Sequence, residues 1–201
     1  GWNMFYHHSG IQIVLPALSS FTITPDFAFL LTRIIRERKP TTIIELGGGR
    51  STLIAAAVLR QENLHGNIIS IDADAQYQEQ CRQYAVANAL EKYITFIYAP
   101  LSDLQIEGQK YRWYNLSELQ GVCFDLLIID GPPEVKGTLS RYPALPQLMA
   151  HANKPAAIVA DDASRPDMQT TRELWQMQYP GITVHNLPLM RGALFIEISG
   201  E

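Results

Sequence analysis

The sequence predicts a doubly wound α/β domain: a mostly parallel sheet with helices on both faces. Three observations carry that expectation. Short β-branched runs alternate with helix-period patterns from residue 41 onward. The first run breaks into three consecutive glycines and restarts as a helix, "IIELGGGRST" (43–52). Finally, the runs close on acids, at Glu45, Asp72, Asp130, Asp161 and Asp162.

Taken in order, Thr24-Pro25-Asp26 is a helix start, and Phe27, Leu30, Leu31, Ile34 and Ile35 recur at helical spacing until "RERKP" ends the run. "TTIIEL" (41–46) is a strand that stops at the glycines, and "STLIAAAVLR" (51–60) is a helix with Ser51 placed to cap it. "NIISID" (67–72) is the second strand. Tyr77, Cys81, Tyr84 and Ala85 then share one face of a helix spanning about 75–90. "ITFIY" (94–98), "FDLLIID" (124–130) and "AAIVAD" (156–161) are the third, fourth and fifth strands, with a helix in "RYPALPQLMAHA" before the fifth. "DMQTTRELWQMQ" is helical, with Trp175 in the core, and "ITVHNL" and "GALFIEIS" are two closing strands. The segment 99–123 reads as a long connection carrying "YRWYN".

With 201 residues and 47% apolar composition, one domain with a real core is expected, over 25–201, preceded by an N-terminal extension, 1–24, whose His7 and His8 read as part of a disordered tail. No run approaches the roughly 20 apolar residues of a membrane-spanning helix, and the start lacks a signal-peptide layout, so a cytoplasmic protein is expected. A formal charge of −4 without any basic run argues against a nucleic-acid partner. The two cysteines, Cys81 and Cys123, show no metal-ligand spacing and read as buried thiols. His65, His151 and His185 belong to no motif.

In a doubly wound sheet, ligands bind beyond the carboxyl ends of the strands, where strand order reverses. The five acids should meet there, and their mutual repulsion asks for a cationic ligand or a metal. A nicotinamide fingerprint would need G-x-G-x-x-G, but after Gly47 and Gly49 the third place holds Thr52. What remains is E-x-G-x-G, with Asp72 ending the next strand, where an acid can accept both ribose hydroxyls.

On these residues the sequence resembles class I S-adenosylmethionine-dependent methyltransferases. Within them it is similar to the small-molecule O-methyltransferase branch related to catechol O-methyltransferase, over about residues 25–198. The resemblance implies seven strands with the last antiparallel. It puts Glu45, Gly47, Gly48, Gly49 and Ser51 near the methionine moiety of S-adenosylmethionine, Asp72 on the ribose, and Pro100, Leu101 and Ser102 beside the adenine. Metal-dependent members carry an Asp after strand four and an acidic pair after strand five; here those places are Asp130, Asp161 and Asp162, a candidate set for Mg²⁺ or Ca²⁺. Alternatively Asp161 caps the following turn, Asp162 pairs with Arg165 and Asp130 contacts the cofactor amine; without metal Asp130 or Asp162 would act as general base. Catechol-type members follow the strand-four acid with a lysine, whereas this sequence reads Gly131, Pro132, Pro133, its nearest lysine being Lys136. "IDGPP", "RYPALP" and "DDASRPD" also resemble a bacterial methyltransferase-like subgroup of unassigned substrate.

The expected reaction is methyl transfer to a hydroxyl of a small or sugar-like acceptor, with Trp113, Tyr114, Arg141, Tyr142 and Arg165 on the acceptor side; alternatively Trp113 and Tyr114 pack their loop on the core, and Arg141 with Tyr142 is a helix start with a packed ring. A homodimer is compatible with this reading. Two rivals share the fold: a cofactor-binding module without catalysis, and an aminopropyltransferase-like relative. Arg50, where the latter carries an acid, speaks against it.

Overall fold

The computed structural model describes residues 1–200. Its strands are β1 (Thr42–Leu46), β2 (Asn67–Asp72), β3 (Ile94–Tyr98), β4 (Leu101–Ile106), β5 (Gln109–Tyr114), β6 (Phe124–Ile129), β7 (Ala152–Asp161), β8 (Ile182–Leu187) and β9 (Ala193–Ile198). Its helices are α1 (Trp2–Ser9), α2 (Pro25–Arg38), α3 (Arg50–Gln61), α4 (Ala75–Ala87), α5 (Ala144–Leu148) and α6 (Pro166–Gln178). Seven strands form one sheet in the order β3-β2-β1-β6-β7-β9-β8, and β4 and β5 form a separate hairpin. Pairing is parallel from β3 to β7, while β9 runs antiparallel to both β7 and β8.

The continuous apolar runs follow from burial on both faces. Ile43, Leu126, Ile128 and Val159 point into a cluster with Phe27, Leu31, Leu53 and Val58 of α2 and α3. Their neighbours Ile44, Leu127, Ile129 and Ile158 point the other way, into a cluster with Trp113, Leu145 and Trp175. The period of two that separates the faces is the pleat itself.

Four local expectations are corrected. The first ten residues are not a loose tail: α1 seats Phe5, fully buried, against Phe29 with ring centroids 5.1 Å apart, and Gly10 ends the helix at φ 71°. Ile11 and Ile23 are buried in the same cluster, so the extension belongs to the core. Ser51 is not the cap of α3; the helix begins at Arg50 with Gly49 as N-cap, which places Ser51 in the first turn. Cys123 is exposed, whereas Cys81 is buried. Segment 99–123 is mostly the β4–β5 hairpin, closed by Glu107 (φ 49°) and Gly108 (φ 80°), the pair of positive φ values of a tight hairpin turn. Among the described residues no helix is long and apolar enough to cross a membrane.

Candidate active site

The order of the sheet reverses at β1, whose neighbours β2 and β6 are reached by opposite crossovers. The loops after β1 and β6 therefore meet beyond the strand ends, where such sheets bind ligands. They are pressed backbone to backbone. Gly47 donates to the Ile71 carbonyl at 2.9 Å, and Asp130 donates to that of Leu46 at 2.9 Å. Gly47 has φ 81°, and a Cβ there would lie 2.8 Å from the Asp130 carbonyl carbon, so glycine is required on both counts. A Cβ on Gly131 would overlap the Tyr114 hydroxyl and approach the Gly47 Cα to 2.9 Å.

Under this loop Glu45 is fully buried. One of its oxygens accepts from the Thr52 hydroxyl, which in turn accepts from the Gly49 N–H at 2.9 Å. The other, Oε1, has no partner. Burial pushes the Glu45 carboxyl up to about 7, with the nearby hydroxyls of Ser51 and Thr52 opposing the rise. Asp72 is partly open at the end of β2. Burial raises its carboxyl, while the backbone N–H groups of Asp74, at 2.8 Å, and Gly48 oppose the rise. Pro100, Leu101 and Ser102 follow β3 beside it, with Ala99 donating to the Asp72 carbonyl at 2.8 Å. The Tyr77 hydroxyl of α4 lies over Gly49, 2.6 Å from where a Cβ would sit.

At the ends of β6 and β7, Asp130, Asp161 and Asp162 each bring an oxygen within 4.8 Å of the others. Asp162 takes φ 60°, and its N–H donates to Asp161 Oδ1 at 2.8 Å, a tight turn that brings both side chains to the rim. Three guanidinium groups are packed among them. Arg141 Nη2 contacts Asp130 Oδ1 at 3.3 Å and Asp162 Oδ2 at 3.1 Å. It also donates to the Asp130 carbonyl, and Nη1 to that of Asp161, each at 3.0 Å. Arg165 reaches Asp162 Oδ2 at 3.0 Å and Glu134 at 2.9 Å. Arg191 Nη2 donates to Asp161 Oδ2 at 3.0 Å and to the Thr22 carbonyl at 2.7 Å. Burial still raises the Asp130 carboxyl well above the ordinary range; Arg141 opposes this, and Asp161 and Asp162 add to it.

The residues expected on the acceptor side divide. Tyr114 reaches the crevice, its ring buried and its hydroxyl against Gly131. Trp113 and Tyr142 do not line an open rim; both are buried in the second core cluster, with the Tyr142 hydroxyl donating to Gln178 at 2.9 Å. Arg141 is buried among the acids rather than open to an incoming group. Arg165 is half-buried and already paired. Sequence reasoning missed Thr52, Tyr77, Glu134 and Arg191 as parts of the site. For Arg191 a signal was present: it lies in the β8–β9 turn, at the same rim as acids that call for positive charge.

A sheet of this order, with its reversed β9 and a glycine loop at the switch point, defines the α/β fold of the methyltransferase type. A family model described as a methyltransferase domain matches residues 44–163, and the chain belongs to that family. Solved structures share the fold. The O-methyltransferase from Bacillus cereus in complex with SAH superposes with TM-score 0.70 at 15% identity, over 90% of this chain and 84% of that one. The O-methyltransferase TomG from Streptomyces achromogenes, involved in tomaymycin synthesis and solved with SAM, gives 0.70 at 13% identity over 98% and 96%. The SAH-bound methyltransferase from Podospora anserina gives 0.68 at 15% identity over 98% and 87%. No curated protein matches the sequence.

Proposed function

We propose that this chain is an S-adenosylmethionine-dependent methyltransferase acting on a hydroxyl of a small acceptor. The observation that carries this is the glycine loop at the switch point, flanked by two acids of different exposure. Glu45 lies beneath the loop with a buried oxygen lacking any partner, and Asp72 lies beside it, partly open. The unpartnered oxygen suits the ammonium of a methionine moiety, and Asp72 suits a ribose diol. The backbone at Gly47 leaves no room for a side chain, so the glycine loop sits directly on the Asp130 turn and the two acids face one narrow crevice.

Bound in this crevice, S-adenosylmethionine supplies an electrophilic methyl group on a sulfonium. The residues of the chain align and move a proton. Tyr114, pressed against Gly131, narrows the crevice between the glycine loop and the Asp130 turn. Asp130, with more of its side chain open than Asp162 (11% against 3%), takes the acceptor's proton. S-adenosylmethionine held there would supply its methyl group to the acceptor oxygen as that proton leaves, with the carbon–sulfur electron pair staying on sulfur. A carboxyl that burial has made more basic than an ordinary aspartate suits a base of this kind. Alignment supplies much of the barrier reduction in such a transfer.

A divalent cation on Asp130, Asp161 and Asp162, which the family likeness implies, does not fit these residues as they stand. Each carboxylate already holds a guanidinium, so no step here passes through a metal.

Titration calorimetry with S-adenosylmethionine and S-adenosylhomocysteine tests the reading. Both should bind, NAD should not, and Asp72→Ala should weaken binding by roughly 1.5–3 kcal/mol, the scale of hydrogen bonds to a charged group. Unchanged affinity in that variant would put the ribose elsewhere.

A further inference from the structure

We infer that Arg141 is the resident cation of the acidic rim, holding the place of a divalent metal, and that this chain takes no metal ion at Asp130, Asp161 and Asp162. The inference deepens the methyl-transfer reading and rests on it only for where the acceptor lies.

The first support is the set of oxygens Arg141 engages. A single planar group contacts two of the three carboxylates and two main-chain carbonyls where β6 and β7 end: Asp130 Oδ1 and Asp162 Oδ2 from Nη2, the Asp130 carbonyl from Nη2, and the Asp161 carbonyl from Nη1, all within 3.0–3.3 Å. Oxygen-only ligation of this kind is what a hard divalent cation seeks. Charge is the second. Arg141, Arg165 and Arg191 balance the three aspartates, and Glu134 on Arg165 leaves one net negative charge. A divalent ion added to that set would turn the rim positive among three fixed cations. Arginine also stays protonated at any working pH and is weakly hydrated, so it tolerates burial in an ion cluster where a lysine would not.

The third support is that Arg141 is delivered by a fixed backbone. The next residue, Tyr142, is buried, with its ring 5.3 Å from Tyr111 and its carbonyl accepting from Trp175 Nε1 at 2.9 Å. The Arg141 side chain is itself 5% exposed. Moving it aside for a metal would bury an unpaired cation or unseat the loop on α6, and both are costly. Arg141 is therefore a positioning residue: it fixes the Asp130 carboxylate that faces the acceptor and carries the positive charge that a metal supplies elsewhere.

The experiment is a melt of the full chain with millimolar Mg²⁺, Mn²⁺ or Ca²⁺ against a chelator, run with and without S-adenosylhomocysteine. The wild-type melting temperature should not respond to any of the three. Arg141→Ala, or Arg141→Met if the alanine variant does not fold, leaves the Asp130 carboxylate without its guanidinium and Asp162 with Arg165 alone, and should gain a cation-dependent rise of roughly 3–6 °C at tenfold excess over Kd. Adding Asp162→Asn should abolish that rise. A wild-type melt raised by a cation overturns the inference. So does an Arg141 variant whose melt ignores all three cations. Failure of the wild type to bind S-adenosylhomocysteine would sink the methyl-transfer reading alone, because the cation melts stand without cofactor.

Discussion

Glu45→Gln should alter the pH dependence of stability while leaving the fold intact. Glu45 is fully buried, its carboxyl is raised from 4.5 to about 7, and burial is the main cause. The sign follows from which state holds the proton. Below about pH 4.5 both folded and unfolded chains are protonated at this residue, and it makes no pH-dependent difference. Between 4.5 and 7 the unfolded chain releases its proton while the folded chain keeps it, so stability falls as pH rises; above 7 the loss levels off. At about 1.36 kcal/mol for each pH unit, that gap is worth about 3 kcal/mol. Glutamine keeps the shape and can still accept from Thr52, but it cannot ionise. Urea midpoints of both proteins from pH 4.5 to 8.5 give the comparison. The free-energy difference between them should shift by about 3 kcal/mol in favour of the variant across that range. Asp72, Asp130 and Asp161 are raised as well, but they are common to both proteins and cancel in the difference. Parallel stability curves would mean that Glu45 is ionised in the folded chain, and the argument from its burial would be wrong.

Gly131→Ala should destabilise by about 1–3 kcal/mol, the cost of overpacking, because its Cβ meets both the Tyr114 hydroxyl and the Gly47 backbone. Tyr114→Phe in the same background should recover part of that loss in urea melts; full additivity of the two changes would deny the contact. With an aromatic disulfide reagent the native chain should titrate one thiol, exposed Cys123, and the denatured chain two. Burial pushes the Cys81 thiol up to about 12 and shields it.

The sheet was legible because β1, β2, β6 and β7 are buried on both faces, and their unbroken apolar runs admit little else. The hairpin was hidden by its turn. Tyr111 and Trp113 alternate inward with Lys110 and Arg112 outward, a strand signal, but Glu107-Gly108 lacks the Asn or Asp that usually marks such a turn. At Tyr142 two readings stood open, a polar rim beside an arginine or a packed ring at a helix start, and the docking of α6 over it decides for the core. The acids at the strand ends were found from their spacing, together with their need for positive charge. The pairing of Asp162 with Arg165, three residues on, was open to the sequence, but that Arg141 and Arg191 join it depends on loops that return from positions up to 30 residues away.

Arg191 binds Asp161, yet it also donates to the carbonyls of Ser20 and Thr22, 171 and 169 positions earlier, while Met190 donates to Asp26 across 164. The turn between β8 and β9 therefore works as a latch. Until that hairpin docks, the segment before α2 has no fastening at this end, β7 has an open edge, and Asp161 lacks its counter-charge. Strap, sheet edge and charge balance meet at this one turn, so a lesion in it should loosen the entry segment and the reaction rim together.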